Sequence, residues 1–432
     1  MKLEVFKSDN LIGEVRIPSS KTHSFRALIL ASLAKGESVI KKPKLSSDWF
    51  EAIKALRMYG AEITEVNRNT YIVKGTSGKL KTPDDVINVG NSGTMLFFIL
   101  GVASLCEGWS VITGDKSIRK LRTVSQNLIV PFKQLGIEII ATKNDGMAPF
   151  LVKGVVRGNI VHLDGTGCQP VFSVLLAAAF SKVKTEILVD NPGETAYIEL
   201  LLYWFKKVGI RYINVNNNYS RYLFPGNQTA QKFEATMPLE WSAPAYPLLS
   251  AVITKKSEII VKGMDYSDPY GDKLVIAALQ KMGADIRLTG NNLIAKSSSI
   301  HGVEIDMNLM PDQVPTIAVA GCFAKGKTEI KNAETARWKE CDRITAIVKE
   351  LQKMGAKVIE KKDGLIINQD GTWTLKGANL DGYMDHRMVL SLSVAGLNAS
   401  GKTIISDAQM VEKSFEYFIH DMKKLGANFK LL

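Results

Sequence analysis

LQKMGADI (residues 279–286) and LQKMGAKV (351–358) are near-copies of one phrase. Looser versions stand at LRMYGAEI (56–63), FKQLGIEI (132–139), FKKVGIRY (205–212) and MKKLGANF (422–429). Their glycines, Gly60, Gly136, Gly209, Gly283, Gly355 and Gly426, lie 76, 73, 74, 72 and 71 residues apart. In each phrase a helical pattern runs into a glycine and a β-prone stretch follows at once. That order predicts an amphipathic helix closed by a left-handed C-cap glycine, then a strand. Repeats of this length exceed a solenoid unit, so each reads as a small α/β subdomain. Six of them suit two domains of three.

After each of the first five glycines come two β-prone segments, often joined by an Asn, Gly or Asp turn. EITEVNRNTYIVKG (62–75), DIRLTGNNLIAKSS (285–298) and KVIEKKDGLIINQD (357–370) read as hairpins. The sixth unit has one strand only, ANFKLL, whereas KLEVFK (2–7) is a strand candidate with no partner of its own. KLEVFK is therefore expected to complete the last hairpin. Residues 1–19 and 237–432 then form one discontinuous domain, and 20–236 an inserted one. The crossings fall near Pro18–Lys21 and Ala235–Trp241, and the cleft between domains is the expected active site.

The chain has 432 residues, 46% of them hydrophobic and 23% charged, as in a soluble globular protein. No apolar run reaches the length of a membrane span, and MKLEVFKSDN lacks the apolar core of a secretory signal. Cys106, Cys168, Cys322 and Cys341 show no paired metal spacing and suit reduced thiols in the cytoplasm. The five histidines form no ligand-like cluster, so no metal and no cofactor are expected. The net charge of +12 is compatible with anionic substrates, with nucleic acid, or with a lysine-rich exterior. Lysines on helix faces such as KKVG and KKLG favour the last.

Charged residues gather where strands pass into helices. RWKECDR (337–343) brings Arg337, Lys339, Glu340, Asp342 and Arg343 together. Standing alone it would read as a solvated turn with Asp342 favourable at a helix start. Asp312 in NLMPDQVPTIAVAG, Asp385-His386-Arg387 in GYMDHRM, and Lys21 and Arg26 in PSSKTHSFRALILASLA recur at comparable places. Such passages aim backbone N–H groups at a common point and suit anions.

These pieces, with SSKTHSFRALILASLAKG (19–36), NVGNSGTM (88–95), MPDQVPTIAVAGCFAKG (310–326), MDHRMVLSLSVAGL (384–397) and EKSFEYF (412–418), carry a resemblance. Over essentially its whole length the chain resembles the 5-enolpyruvylshikimate-3-phosphate synthase (3-phosphoshikimate 1-carboxyvinyltransferase) family. KExDR followed by DHRM is the specific part. The resemblance implies an α/β fold of two similar domains, each with three βαβαββ subdomains around a pseudo-threefold axis. It implies transfer of the enolpyruvyl group of phosphoenolpyruvate to the 5-hydroxyl of shikimate 3-phosphate, with release of phosphate, on the route to chorismate and aromatic amino acids. By position it assigns Lys21, Gly93, Arg122, Arg343, Arg387 and Lys413 to phosphoenolpyruvate, with Arg119 a rival to Arg122. Lys21, Asp312 and Glu340 become catalytic, the last two as an acid/base pair. Lys21, Thr22, Arg26, Gly167, Cys168, Gln169, Glu194, Tyr197, Asp312 and Lys339 fall on the acceptor, and His386 supports them. A monomer is expected, without membrane or nucleic-acid partners.

The acceptor half departs from the family pattern. Gly167 and Cys168 replace two serines, Glu194 replaces a third, and Phe97 stands where an arginine is expected. Glu240 stands for an aspartate and Met384 for an asparagine. Serine hydroxyls donate to a phosphate, whereas an ionised glutamate only accepts. Besides a synthase that grips its acceptor differently, the pattern therefore allows a paralogue with another hydroxylated acceptor. Weak use of shikimate 3-phosphate is the expectation from these residues. The related transferase that acts on UDP-N-acetylglucosamine uses a loop cysteine that the surroundings of Cys106 do not resemble. RNA-cyclising enzymes would need a histidine site absent here, and a nucleic-acid-binding scaffold is the remaining non-enzymatic alternative.

Overall fold

The computed structural model describes residues 1–121, 124–158 and 160–432. All six phrases form the expected corner. The helices Ser47–Met58, Ser125–Gln134, Thr195–Lys207, Leu274–Lys281, Arg343–Lys353 and Phe418–Leu425 each end just before their glycine. The six glycines have φ between +77° and +111°, where a Cβ would clash with its own backbone.

Among the described residues six four-stranded sheets follow, and all six are wired alike. In one of them Glu304–Asp306 pairs parallel with Gly326–Lys331, which pairs antiparallel with Gly364–Gln369, itself the hairpin partner of Val358–Lys361. The parallel pair is bridged by a buried helix, Val314–Phe323, and the hairpin is reached through an amphipathic one, Arg343–Lys353. This is a βαβαββ unit. The hairpin after Gly209 is the weakest, its first strand reduced to Ile213–Asn214.

Two sheets are completed from afar. Leu3–Phe6 pairs antiparallel with both Asn428–Leu431 and Lys402–Ile405, filling the missing place in the last hairpin. Glu234–Thr236 pairs parallel with Glu37–Lys41, far earlier in the chain. The chain divides into two compact units, a discontinuous one of Met1–Pro18 with Pro238–Leu432 and an inserted one of Ser19–Met237. At the crossing, the Glu240 N–H donates to the Pro18 carbonyl oxygen at 2.9 Å.

In the discontinuous unit the helices Ala245–Ile253 and Val314–Phe323, apolar nearly all round, pack on each other and on His386–Gly396, which is buried although it carries His386 and Arg387. A helix without a polar face is stable only when surrounded. Lys21–Leu33, Gly93–Ala103 and Cys168–Ala179 are the buried helices of the inserted unit. Among the described residues no helix is long and apolar enough to cross a membrane.

Candidate functional site

In the discontinuous unit, charges collect at helix starts. The turn Pro311–Gln313 places Asp312 at the head of one buried helix. Asp385 caps another, accepting from the Arg387 N–H at 2.8 Å. Asp342 caps the helix that Arg343 opens. Between them Arg343 is engaged on all sides. Its Nε donates to Asp385 Oδ2 at 2.7 Å, Nη1 to Asp312 Oδ1 at 2.8 Å, and Nη2 to Glu340 Oε2 at 2.6 Å. Such a buried cation is tolerable because carboxylates surround its fork. Arg343, expected to receive phosphoenolpyruvate, here donates to these three carboxylates.

Arg387 differs. Its Nη2 lies 3.0 Å from Asp312 Oδ2 and 3.3 Å from Asp272 Oδ2. Its Nε and Nη1 are buried and have no hydrogen-bond partner among the described residues. The hydroxyl of Tyr246, buried and coupled to the Arg387 charge, is also without one. Buried donors without acceptors are costly, and their presence together marks a place shaped for an anion. Lys413 is buried with its Nζ 3.7 Å from Glu340 Oε1, and Lys339 Nζ is 3.7 Å from Asp312 Oδ1. Burial alone would raise the Asp312 pKa, but Arg387, Lys339 and Arg343 outweigh it and hold the carboxyl well below the usual range. Asp312 is thus ionised. His386 is buried, its Nδ1 3.8 Å from Asp385 Oδ1, too far for a hydrogen bond.

Asp272 was not singled out from the sequence. It is fully buried, and Gln313 Nε2 donates to it at 3.2 Å. GDKLVIAAL (271–279) repeats the Asp-basic-apolar step of CDRITAIV (341–348), which was the available signal.

In the inserted unit the same kind of position holds less charge. Lys21 opens its helix behind the N-cap Ser20, and its Nζ is 3.6 Å from Asp48 Oδ2. Asp48 too was missed. Gly93 opens a helix capped by Ser92. Thr22 gives its carbonyl oxygen to Arg26 Nη1 at 3.1 Å, and Tyr197 gives its own to Nη2 at 3.2 Å. The Arg26 guanidinium is buried 4.8 Å from the Phe172 ring centroid and 5.3 Å from that of Phe98, two stacked rings. Its guanidinium thus meets backbone carbonyl oxygens and aromatic rings.

Gly167, Cys168 and Gln169 start the helix Cys168–Ala179, with Gly167 as N-cap. The Cys168 N–H donates to Glu194 Oε2 at 2.9 Å. Glu194 is buried with φ +48°, so its carboxylate sits where a helix start favours negative charge. Phe97 is buried in the helix Gly93–Ala103. Arg122 lies outside the described residues. Its rival Arg119 is exposed, with Nε donating to the Asp115 carbonyl oxygen at 3.2 Å. No group of three or more His, Cys, Asp or Glu among the described residues is placed to hold a metal ion.

The fold is that of the enolpyruvyl transferases. Solved structures agree on the fold: an EPSP synthase from Acinetobacter baumannii superposes with a TM-score of 0.79 at 24% identity, covering 99% of each chain. The enolpyruvyl transferase NikO from Streptomyces tendae gives 0.78 at 14% identity, over 99% of this chain and 98% of that one. The family model for EPSP synthase (3-phosphoshikimate 1-carboxyvinyltransferase) matches residues 5–422. Curated 3-phosphoshikimate 1-carboxyvinyltransferases from Acetivibrio thermocellus and Methanocaldococcus jannaschii are each 41% identical, over 428 and 435 residues, with 99% of both chains covered. The chain belongs to the EPSP synthase family.

Proposed function

We propose that the protein transfers the enolpyruvyl group of phosphoenolpyruvate to the 5-hydroxyl of shikimate 3-phosphate. The observation that carries this, in a chain of this family, is the buried Arg387 fork with two unpartnered nitrogens beside an ionised Asp312. Arg387, Lys413 and Lys21 bind the phosphate and carboxylate of phosphoenolpyruvate, with the helix start at Gly93 adding its dipole. Arg343 orders Asp312, Glu340 and Asp385 beside Arg387. Asp312 takes the proton of the acceptor hydroxyl as its oxygen adds to C2. Glu340 serves as the acid that protonates C3, giving a tetrahedral intermediate. Loss of inorganic phosphate and of one C3 proton restores the vinyl ether, the cations stabilising the leaving group. Lys339, Gln169, Tyr197 and Thr22 fix the acceptor, and the enzyme works in the cytoplasm as a monomer.

A second reading rests on one observation: the buried Glu194 carboxylate at the start of the helix Cys168–Ala179. A ligand that approaches it with a hydroxyl or amine is better matched than one that brings a dianion. The experiment is phosphate release from phosphoenolpyruvate with shikimate 3-phosphate or with unphosphorylated shikimate. Saturation by the phosphorylated acceptor at micromolar levels upholds the first reading and removes the second. Preference for the unphosphorylated one does the reverse.

A further inference from the structure

The turn 381–384 joins the strand Asn379–Leu380 to the helix His386–Gly396 and so delivers Asp385 and Arg387. Two successive residues in it, Tyr383 and Met384, have φ of +53° and +51°. Left-handed backbone is uncommon for such side chains, and consecutive pairs are rarer still. It persists where the surroundings over-determine it.

They do so here. Every backbone N–H from Asp381 to Asp385 has an acceptor. Asp381 donates to Glu350 Oε2 at 3.0 Å, Gly382 to Ser406 Oγ at 3.0 Å and Tyr383 to Asp381 Oδ1 at 2.7 Å. Met384 donates to Asp407 Oδ2 at 3.1 Å, and Asp385 to the Gly382 carbonyl oxygen at 2.9 Å. Gly382 leaves no room for a side chain, since a Cβ would lie 2.4 Å from the Ser406 carbonyl oxygen.

Glu350 is the buried member of this set. It shares the helix Arg343–Lys353 with Arg343, two turns further on and on the same side. Its Oε1 also accepts from the Tyr383 hydroxyl at 2.8 Å, and Lys353 Nζ lies 2.8 Å from both oxygens. Burial, and then the Glu350 carboxylate, push the Tyr383 pKa up, so that hydroxyl stays a donor. One helix therefore grips the turn twice, through Arg343 on Asp385 at its start and through Glu350 near its end. A buried carboxylate is a poor device for stability alone, because apolar packing usually does as well.

We propose that Glu350 is a positioning residue: it clamps the strained turn so that Asp385 reaches Arg343 and Arg387 reaches Asp312. This rests on the reading of Arg387 and Asp312 as working groups.

The test compares Glu350→Ala, Glu350→Gln, Tyr383→Phe and Lys353→Ala in steady-state phosphate release and in thermal melts, with Arg387→Ala in the same series. Displacing a reacting group by an ångström has large kinetic effects, so Glu350→Ala is expected to raise KM for phosphoenolpyruvate and lower kcat, together at least about tenfold, below its melting temperature. Tyr383→Phe should show the same split at about threefold. Glu350→Gln, which keeps an acceptor for the turn, should restore most of the loss, and Lys353→Ala should behave as wild type. A lowered Tm with wild-type KM and kcat in the Ala and Phe variants overturns the proposal. Should Glu350→Ala not fold, wild-type kinetics in Tyr383→Phe overturn it equally. If Arg387→Ala is crippled while those variants are normal, the clamp alone fails. If Arg387→Ala turns over normally, the reading of the site fails and takes the clamp with it.

Discussion

The two units place helix starts in similar frames but fill them differently. In the discontinuous unit, Asp312, Glu340, Arg343, Asp385 and Arg387 form one network of ion pairs between 2.6 and 3.3 Å. In the inserted unit, Lys21 pairs with Asp48 at 3.6 Å, Arg26 is buried beside aromatic rings, and a glutamate occupies the start of Cys168–Ala179. Coupled charges constrain one another, since removing one leaves a buried partner uncompensated. A helix start served by separate groups can change residue by residue.

The comparison breaks most severely if the network proves dispensable. Glu340→Gln and Arg387→Ala in the network, and Lys21→Ala in the inserted unit, are each expected to lower phosphate release at least about a hundredfold while leaving circular dichroism unchanged, the scale for losing a positioned proton-transfer or charge-stabilising group. Near-normal turnover in any of them removes that residue from the mechanism. The next effect belongs to the inserted unit. The triple change Gly167→Ser, Cys168→Ser and Glu194→Ser restores donors worth about 1.5–3 kcal/mol each toward a charged group, so KM for shikimate 3-phosphate should fall more than about tenfold. An unchanged or higher KM means that Glu194 already serves the native acceptor.

Acid sensitivity sharpens the contrast. The folded-state pKa of Asp312 is depressed, so its stabilising contribution is full above the unfolded carboxylate pKa and is lost as pH falls toward the folded one. Asp312→Asn should therefore lower Tm near neutrality, and the difference from wild type should stay constant down to the unfolded carboxylate pKa of about 4 and shrink as pH falls below it. A gap that stays constant would show that the three cations do not act on Asp312. The smallest effect concerns the turn before Asp385. Met384→Asn suits the left-handed backbone better and should stabilise by about 0.5–1 kcal/mol in denaturant melts, without a change in kcat. A destabilised variant would show that the methionine packs where asparagine cannot.

Much of this was legible in the sequence for one physical reason: it is local. A helix, its C-cap glycine and the next strand occupy a few adjacent residues, so Gly60 through Gly426 could be read directly. KLEVFK was placed by its lack of a nearby partner, a deduction from what each unit requires. The rest depends on distance. Asp272 meets Arg387 115 residues along the chain, and Arg26 meets the Tyr197 carbonyl 171 residues away. Nothing in SFRALIL foretells that its arginine is buried between helices. Glu194 could be recognised as out of place, but its bond to the Cys168 N–H appears only when two loops are brought together.

The strand Leu3–Phe6 has a consequence for vectorial synthesis. It is made long before either of its sheet neighbours. At about 5–20 residues per second, the roughly four hundred intervening residues take about 20–80 s. Through that interval the nascent strand presents unpaired edges, while the inserted unit, whose own closing strand is Glu234–Thr236, is already complete in sequence. Lys2, Glu4 and Lys7 give this waiting segment a charge at nearly every other step, the sort of patterning that discourages an open edge from recruiting a stranger.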